Sequence, residues 1–250
     1  MRTASGRIDT AEAFQETFGV SRETLDRLRT YEALLKSWQR VVNLVSPATL
    51  DDVWHRHFAD SAQLLDLADI SSPLGGEGPG ARGRALEEGG KIPRPGEASG
   101  GQSWLDLGSG GGFPGLVLAI LLAEKAPQAR MTLVESDARK AAFLGEVARK
   151  TGVAVEIRAE RSEKCATQAN SRIRNVITAR ALAPLPKLLG LAQPFFSPPT
   201  VALFPKGREA EVEIAEARTR FDFDCQLAPS LTDAEARIVI VQNLAVRTEG

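Results

Sequence analysis

The chain has 250 residues, 43% of them apolar and 25% charged, with 31 basic and 32 acidic side chains for a net charge of −1. That balance is average for a globular protein and excludes global disorder, while the near-zero charge excludes nucleic-acid binding by bulk charge and leaves only a local patch. The longest unbroken apolar run, 116–123, is far too short for a membrane span, and the first residues lack the apolar stretch of a signal peptide, so the expectation is a cytoplasmic protein.

The residues up to about Val20 carry Phe14 and Phe18 and predict a short helix. Ser21 then reads as the N-cap of a long amphipathic helix, with Leu25, Leu28, Tyr31, Leu34, Leu35, Trp38, Val41 and Val42 recurring at threes and fours. Ser46-Pro47 restarts the pattern as a cap followed by a proline preset for a first helical turn, and apolar residues continue to Leu67. Residues 1–70 are therefore expected to form a helical cap. Residues 71–102 are rich in Gly, Pro and charge, have little to bury, and read as a flexible insertion.

From Ser103 onward the pattern alternates between strand and helix. Strands are predicted at 104–107, 131–135, 153–157, 176–179, 201–204 and 238–241, with a further late strand near 221–226. Helical patterns lie at 114–123, 137–151, 185–193 and 209–220. Apolar strands joined by helical crossovers imply an α/β fold, a mostly parallel seven-stranded sheet with helices on both faces. The last two strands are too close in sequence for a helical crossover and predict an antiparallel end.

The stretch Trp104-Leu105-Asp106-Leu107-Gly108-Ser109-Gly110-Gly111-Gly112-Phe113-Pro114-Gly115 carries the most chemistry. A short strand runs into glycines and then a helix, the place where open α/β sheets bind ligands. Gly110 to Gly115 fits GxGxxG, the dinucleotide fingerprint, but Pro114 removes an N–H that a pyrophosphate would use. A NAD-dependent oxidoreductase is thereby disfavoured but left open. Counted from Gly108, the acid followed by Gly-x-Gly-x-Gly resembles the first motif of S-adenosylmethionine-dependent methyltransferases, whose cofactor has no phosphates. Asp106 would then order the loop and meet the methionine end, and Glu135 at the close of the next strand would accept the ribose hydroxyls. The two cysteines, Cys165 and Cys225, form no CxxC pair, and no metal site is expected.

Several islands together resemble the RsmG (GidB) family of bacterial methyltransferases that modify N7 of a guanosine in 16S ribosomal RNA. They are Trp38 with Asn43-Leu44; Arg56-His57 with Asp60-Ser61; the glycine loop through Phe113-Pro114-Gly115; Leu133 to Ser136; Arg139-Lys140 with Phe143-Leu144; Arg161 and Glu163; Thr178 to Ala181; and Lys206-Gly207. The resemblance implies a Rossmann-like class I methyltransferase fold over residues 103–250 and S-adenosyl-L-methionine as cofactor. It implies a cofactor pocket of Gly108, Gly110, Phe113, Glu135, Ser162, Glu163 and Arg180, with Arg180 and His57 as catalytic candidates that orient the target. Two features depart from the family: the insertion, and Asn175 where an acidic residue is usual. If that acid contacts cofactor or RNA, its role is in doubt.

Guanine N7 carries a lone pair and no proton, so it can attack a sulfonium methyl without a general base, and catalysis would rest on orientation. Between 139 and 180 there are ten basic and four acidic residues. Arg139, Lys140, Arg172, Arg174 and Lys206 are the candidates to meet rRNA phosphates, in a salt-dependent way. The expected partner is 16S rRNA or the small ribosomal subunit, met by a monomer with no membrane contact. A methyltransferase for another acceptor, or a non-enzymatic RNA-binding protein that kept the fold, are the other readings.

Overall fold

Strands whose residues are buried on both faces need helices above and below. The computed structural model, which describes residues 6–68, 101–167 and 174–247, meets that need with one seven-stranded sheet. Its strands are β1 (Ser103–Leu107), β2 (Arg130–Val134), β3 (Val155–Arg158), β4 (Val176–Thr178), β5 (Val201–Lys206), β6 (Phe221–Pro229) and β7 (Arg237–Val246). They lie in the order β3-β2-β1-β4-β5-β7-β6. The first five are mutually parallel, and β7 runs antiparallel to both β5 and β6, as the short final connection predicts. The order reverses between β1 and β4, which opens a crevice at the carboxyl ends of these strands.

The helices are α1 (Ala11–Phe18), α2 (Arg22–Trp38), α3 (Asp60–Ala68), α4 (Gly115–Lys125), α5 (Ala138–Thr151), α6 (Ser162–Thr167), α7 (Leu185–Ala192) and α8 (Ala210–Ala217). Ser21 caps α2 by accepting the N–H of Thr24, and Asp137 caps α5 through the N–H groups of Arg139 and Lys140. Such caps satisfy amides that have no partner within the helix.

One sheet face is covered by α4 and α5, and the amino-terminal helices pack outside them. Leu28, Tyr31 and Phe58 share an apolar cluster with Leu116, Phe143 and Leu133, so the amino-terminal layer is continuous with the sheet's core. On the other face Leu185, Leu188 and Leu189 of α7 pack on Ala202 and Phe204.

Three local expectations change. Ser46 makes no side-chain cap bond, and the chain there forms only a 3₁₀ turn, Pro47–Thr49. A π-helical turn, Trp54–Ala59, then leads into α3. Helix α6 carries no amphipathic pattern that its six residues could reveal. The insertion expected at 71–102 lies outside the described residues, apart from Gly101 and Gln102.

Candidate functional site

The site begins where β1 ends. Gly108 (φ +66°) turns the chain out of the sheet, Ser109 donates its N–H to the Val134 carbonyl at 3.0 Å, and Gly110 (φ +56°) donates to Glu135 Oε2 at 2.8 Å. The second oxygen of Glu135 accepts the N–H of Asp137, also at 2.8 Å. The end of β2 and the glycine loop are thus held by one carboxylate.

The amides that follow, from Gly112 to the start of α4, are turned inward. Gly112 and Phe113 donate to the Ser109 carbonyl and Leu116 to that of Gly112, while Gly115 donates to Asp106 Oδ2 at 3.2 Å. Asp106 also accepts the Thr178 hydroxyl at 2.8 Å and has no exposed surface. Burial pushes its carboxyl up to about 6, against the opposing pull of hydrogen bonds that include those from Thr178 and Gly115. Asp106 therefore orders the loop as expected, but it lies beneath the cavity and does not line it, which corrects the expected contact with a methionine end.

The glycines serve different neighbours. A Cβ on Gly111 would lie 2.9 Å from the Leu44 carbonyl oxygen, and one on Gly112 would lie 2.2 Å from the Tyr31 hydroxyl. Both positions are small because the amino-terminal layer presses on the loop, with Tyr31 donating its hydroxyl to the Gly111 carbonyl. At Gly110 a Cβ would meet nothing closer than 3.8 Å. Gly110 is therefore the position in the loop's centre that faces open space.

That space is a cavity of about 920 Å³, within the range of small-molecule sites. Over the carboxyl ends of β1 to β3 it is lined by Gly108, Gly110, Phe113, Glu135, Ser162 and Glu163, all expected from the sequence. Phe113 is only 4% exposed. Its ring is stacked with Tyr31 and His57 at centroid distances of 5.4 and 4.8 Å, and the Arg180 guanidinium lies 5.1 Å from its centre.

Across the cavity the π-helical turn, a local widening that recurs at functional sites, presents Arg56 and His57, and the first residue of α3 presents Asp60. Arg180, two residues past β4, donates to Asp60 Oδ2 at 2.8 Å, to the Arg56 carbonyl at 3.0 Å and to His57 Nδ1 at 2.8 Å. A guanidinium only donates, so Nδ1 accepts, and Nε2–H must donate to Thr49 Oγ1 at 2.8 Å. Burial, reinforced by the charges of Arg180 and Arg56, drives the imidazole down to about 3. His57 is thus a neutral ring with both nitrogens engaged. Ser61, the neighbour of Asp60, is buried and donates its hydroxyl to the His57 carbonyl.

Sequence reasoning missed the wall made by the β6–β7 loop. Thr232 Oγ1 donates to Asp60 Oδ1 at 2.9 Å, and Asp233 lies 3.3 Å from Arg56. Nothing near 232 in the sequence signals this, because the partners are more than 170 residues apart.

The basic candidates divide. Lys140 lines the cavity, whereas Arg139 is outside it and 3.7 Å from Asp137. Arg172 lies outside the described residues. Arg174 is corrected: it is 6% exposed and precedes β4, at the sheet edge opposite the cavity, so phosphate cannot reach it. Lys206 is corrected too: it lines the cavity, but its ammonium is committed to Glu213 at 2.7 Å and the Ala183 carbonyl at 2.8 Å. Asn175 lies at that same far edge, where Oδ1 accepts the Ser103 N–H at 2.8 Å and the Ser103 hydroxyl at 3.0 Å. Its place between β4 and β1 removes the doubt about a missing cofactor contact. Among the described residues no group of His, Cys, Asp or Glu could hold a metal ion, and no helix is long and apolar enough to cross a membrane.

Comparison with known proteins agrees with this geometry. The fold is similar to that of an O-methyltransferase from Bacillus cereus solved with SAH, with a TM-score of 0.54 at 15% identity over 86% of this chain and 91% of that one. The chain is 43% identical to the ribosomal RNA small subunit methyltransferase G of Parvibaculum lavamentivorans, covering 94% of this chain and 89% of the relative. It is 45% identical to the protein of the same name from Methylobacterium sp. (strain 4-46), over 91% and 92%. The family model described as rRNA small subunit methyltransferase G (GidB) matches residues 96–239. The chain therefore belongs to the GidB family of small-subunit rRNA methyltransferases.

Proposed function

We propose that this chain, a small-subunit rRNA methyltransferase by family, moves a methyl group from S-adenosylmethionine to N7 of a guanosine in 16S rRNA. The carrying observation is the state of the glycine loop. Its amides at Gly110, Gly112, Phe113 and Gly115 are all committed within the protein, and a carboxylate, Glu135, stands beside it at the cavity. With those four committed and Pro114 carrying no N–H, the helix start offers no run of consecutive amides to a pyrophosphate, which argues against a dinucleotide. A phosphate-free nucleoside fits: open space at Gly110, and lone pairs on Glu135 beyond the two already used.

When bound, S-adenosylmethionine supplies a methyl group on a positively charged sulfur. The protein's part is then to hold and orient. Gly108, Gly110 and Phe113 border the donor, Glu135 faces its ribose hydroxyls, and Ser162 and Glu163 face its adenine. Arg180 and His57 orient the acceptor; their mutual hydrogen bonds leave little freedom, which suits catalysis by positioning. Guanine N7 has no proton to lose, and His57, neutral and doubly hydrogen-bonded, is no proton acceptor. Lys140 remains the candidate for a phosphate contact. With ribosomal RNA as substrate, the protein is read as cytoplasmic and as acting as a monomer.

The test is methylation of small subunits and of naked 16S rRNA with labelled cofactor, followed by mass-spectrometric mapping of methylated guanines in rRNA from cells with and without the protein. An N7-methylguanosine that vanishes with the protein supports the reading; label on a different base overturns it.

A further inference from the structure

The segment after β4 is fixed at both ends and free in the middle. Arg180 is held by three hydrogen bonds, and the carbonyl of Ala183 by Lys206 Nζ. Glu213 ties the same corner by accepting from both Lys206 Nζ and the Leu185 N–H. Between these anchors Ala181 adopts a left-handed conformation, φ +52°, that residues with a Cβ rarely take. Strain of this kind persists where the surroundings over-determine it, and it clusters at functional sites. Its effect here is to present Leu182, a large apolar side chain that remains 36% exposed, at the cavity.

Leu182 stands at a seam. Its side chain rests on Gly108, so closely that a Cβ there would lie 2.5 Å from Leu182 Cδ1. On one side of this contact lie Gly110, Glu135 and Ser162, over β1 to β3. On the other lie Ala183, Lys206 and Gly207, over β4 and β5. Three of the cations on that second side are paired in place, Lys206 with Glu213, Arg180 with Asp60 and Arg56 with Asp233, which leaves Lys187 at the rim with no ion pair among the described residues. A surface with three internally paired cations and one protruding apolar side chain suits a flat, neutral ring better than a phosphate or carboxylate.

Resting on the function proposed above, we infer that Leu182 is the contact for the acceptor base: one face of the unstacked guanine lies against its isobutyl group, beside the donor. Bases removed from a helix for chemistry are commonly held between apolar or aromatic side chains. The loop anchors keep this surface in place before RNA arrives.

The experiment compares wild type with Leu182→Ala and Leu182→Asn in two assays, methylation of small ribosomal subunits and calorimetric binding of S-adenosylhomocysteine, with Leu182→Met as the conservative variant. Removing the apolar contact is expected to lower kcat/KM for the RNA about tenfold or more. Affinity for S-adenosylhomocysteine stays within about twofold, and Leu182→Met retains most activity. Unchanged RNA methylation in both Ala and Asn variants would overturn the inference. So would a loss of S-adenosylhomocysteine affinity matching the loss of activity, since Leu182 would then serve the donor. A wild-type protein that methylates no guanine in rRNA would instead sink the underlying reading, whatever the variants do.

Discussion

Replacing Asp106 by Asn isolates the buried carboxylate that organises the glycine loop. The folded protein holds the Asp106 proton up to about pH 6, against an ordinary 3.8. The folded chain therefore binds more protons than the unfolded one across that interval, and the contribution of this group to stability falls as pH rises. Full protonation linkage amounts to about 3 kcal/mol; between about pH 4.5 and 7.5 roughly 2 kcal/mol of it is traversed. Asn cannot ionise, yet its amide can still accept from Gly115 N–H and donate to the Thr178 oxygen once that hydroxyl turns. Urea unfolding of both proteins across that range should therefore give a stability difference that shifts by about 2 kcal/mol in favour of the Asn variant as pH rises. The depressed surface carboxylates, such as Asp137 and Asp233, are common to both proteins and cancel. Parallel pH profiles, within about 0.5 kcal/mol of each other, would refute the argument that burial dominates at Asp106.

Other perturbations probe the rest of the site. His57, depressed from 6.5 to about 3 by burial and two neighbouring arginines, adds stability that is full above about 6.5 and lost as pH falls toward 3; its ring proton resonances should not titrate between about pH 5 and 8, and an inflection near 6.5 would contradict the described packing. Gly112→Ala drives a methyl into the Tyr31 hydroxyl and should lower unfolding stability by about 2–3 kcal/mol. Gly110→Ala has room and carries only the left-handed penalty of about 1 kcal/mol, yet should weaken S-adenosylhomocysteine binding; equal destabilisation in the two variants would disprove the division of roles among the glycines. Arg180→Lys replaces a fork that reaches three acceptors with a single ammonium and should reduce methylation about tenfold with the fold retained by circular dichroism, a result that near wild-type turnover would exclude.

Much of the architecture follows from local rules that the sequence states outright. The α2 face from Leu25 to Leu35, the Ser21 cap, the alternation of apolar strands with helices and the final antiparallel pair all reflect spacing of 3.6 or 2 residues and turn chemistry. Glu135 was likewise legible as an acid closing a strand beside a glycine loop, and it holds that loop through the Gly110 N–H. What the sequence could not resolve were matters of direction and distance. Arg174 and Lys206 stood as candidates for rRNA phosphates until the fold buried Arg174 and set Lys206 against Glu213. Asp106 looked like a ligand contact until its strand placed it under the loop, opposite Thr178. Nothing in the glycine run told that Gly111 and Gly112 make room for Leu44 and Tyr31. Thr232 reached Asp60 only because β7 returns between β5 and β6. Periodicity and capping are written within a few residues along the chain. Charge pairing, burial and the identity of the neighbour that a glycine accommodates depend on contacts between segments many tens of residues apart, which only the closed tertiary structure brings together.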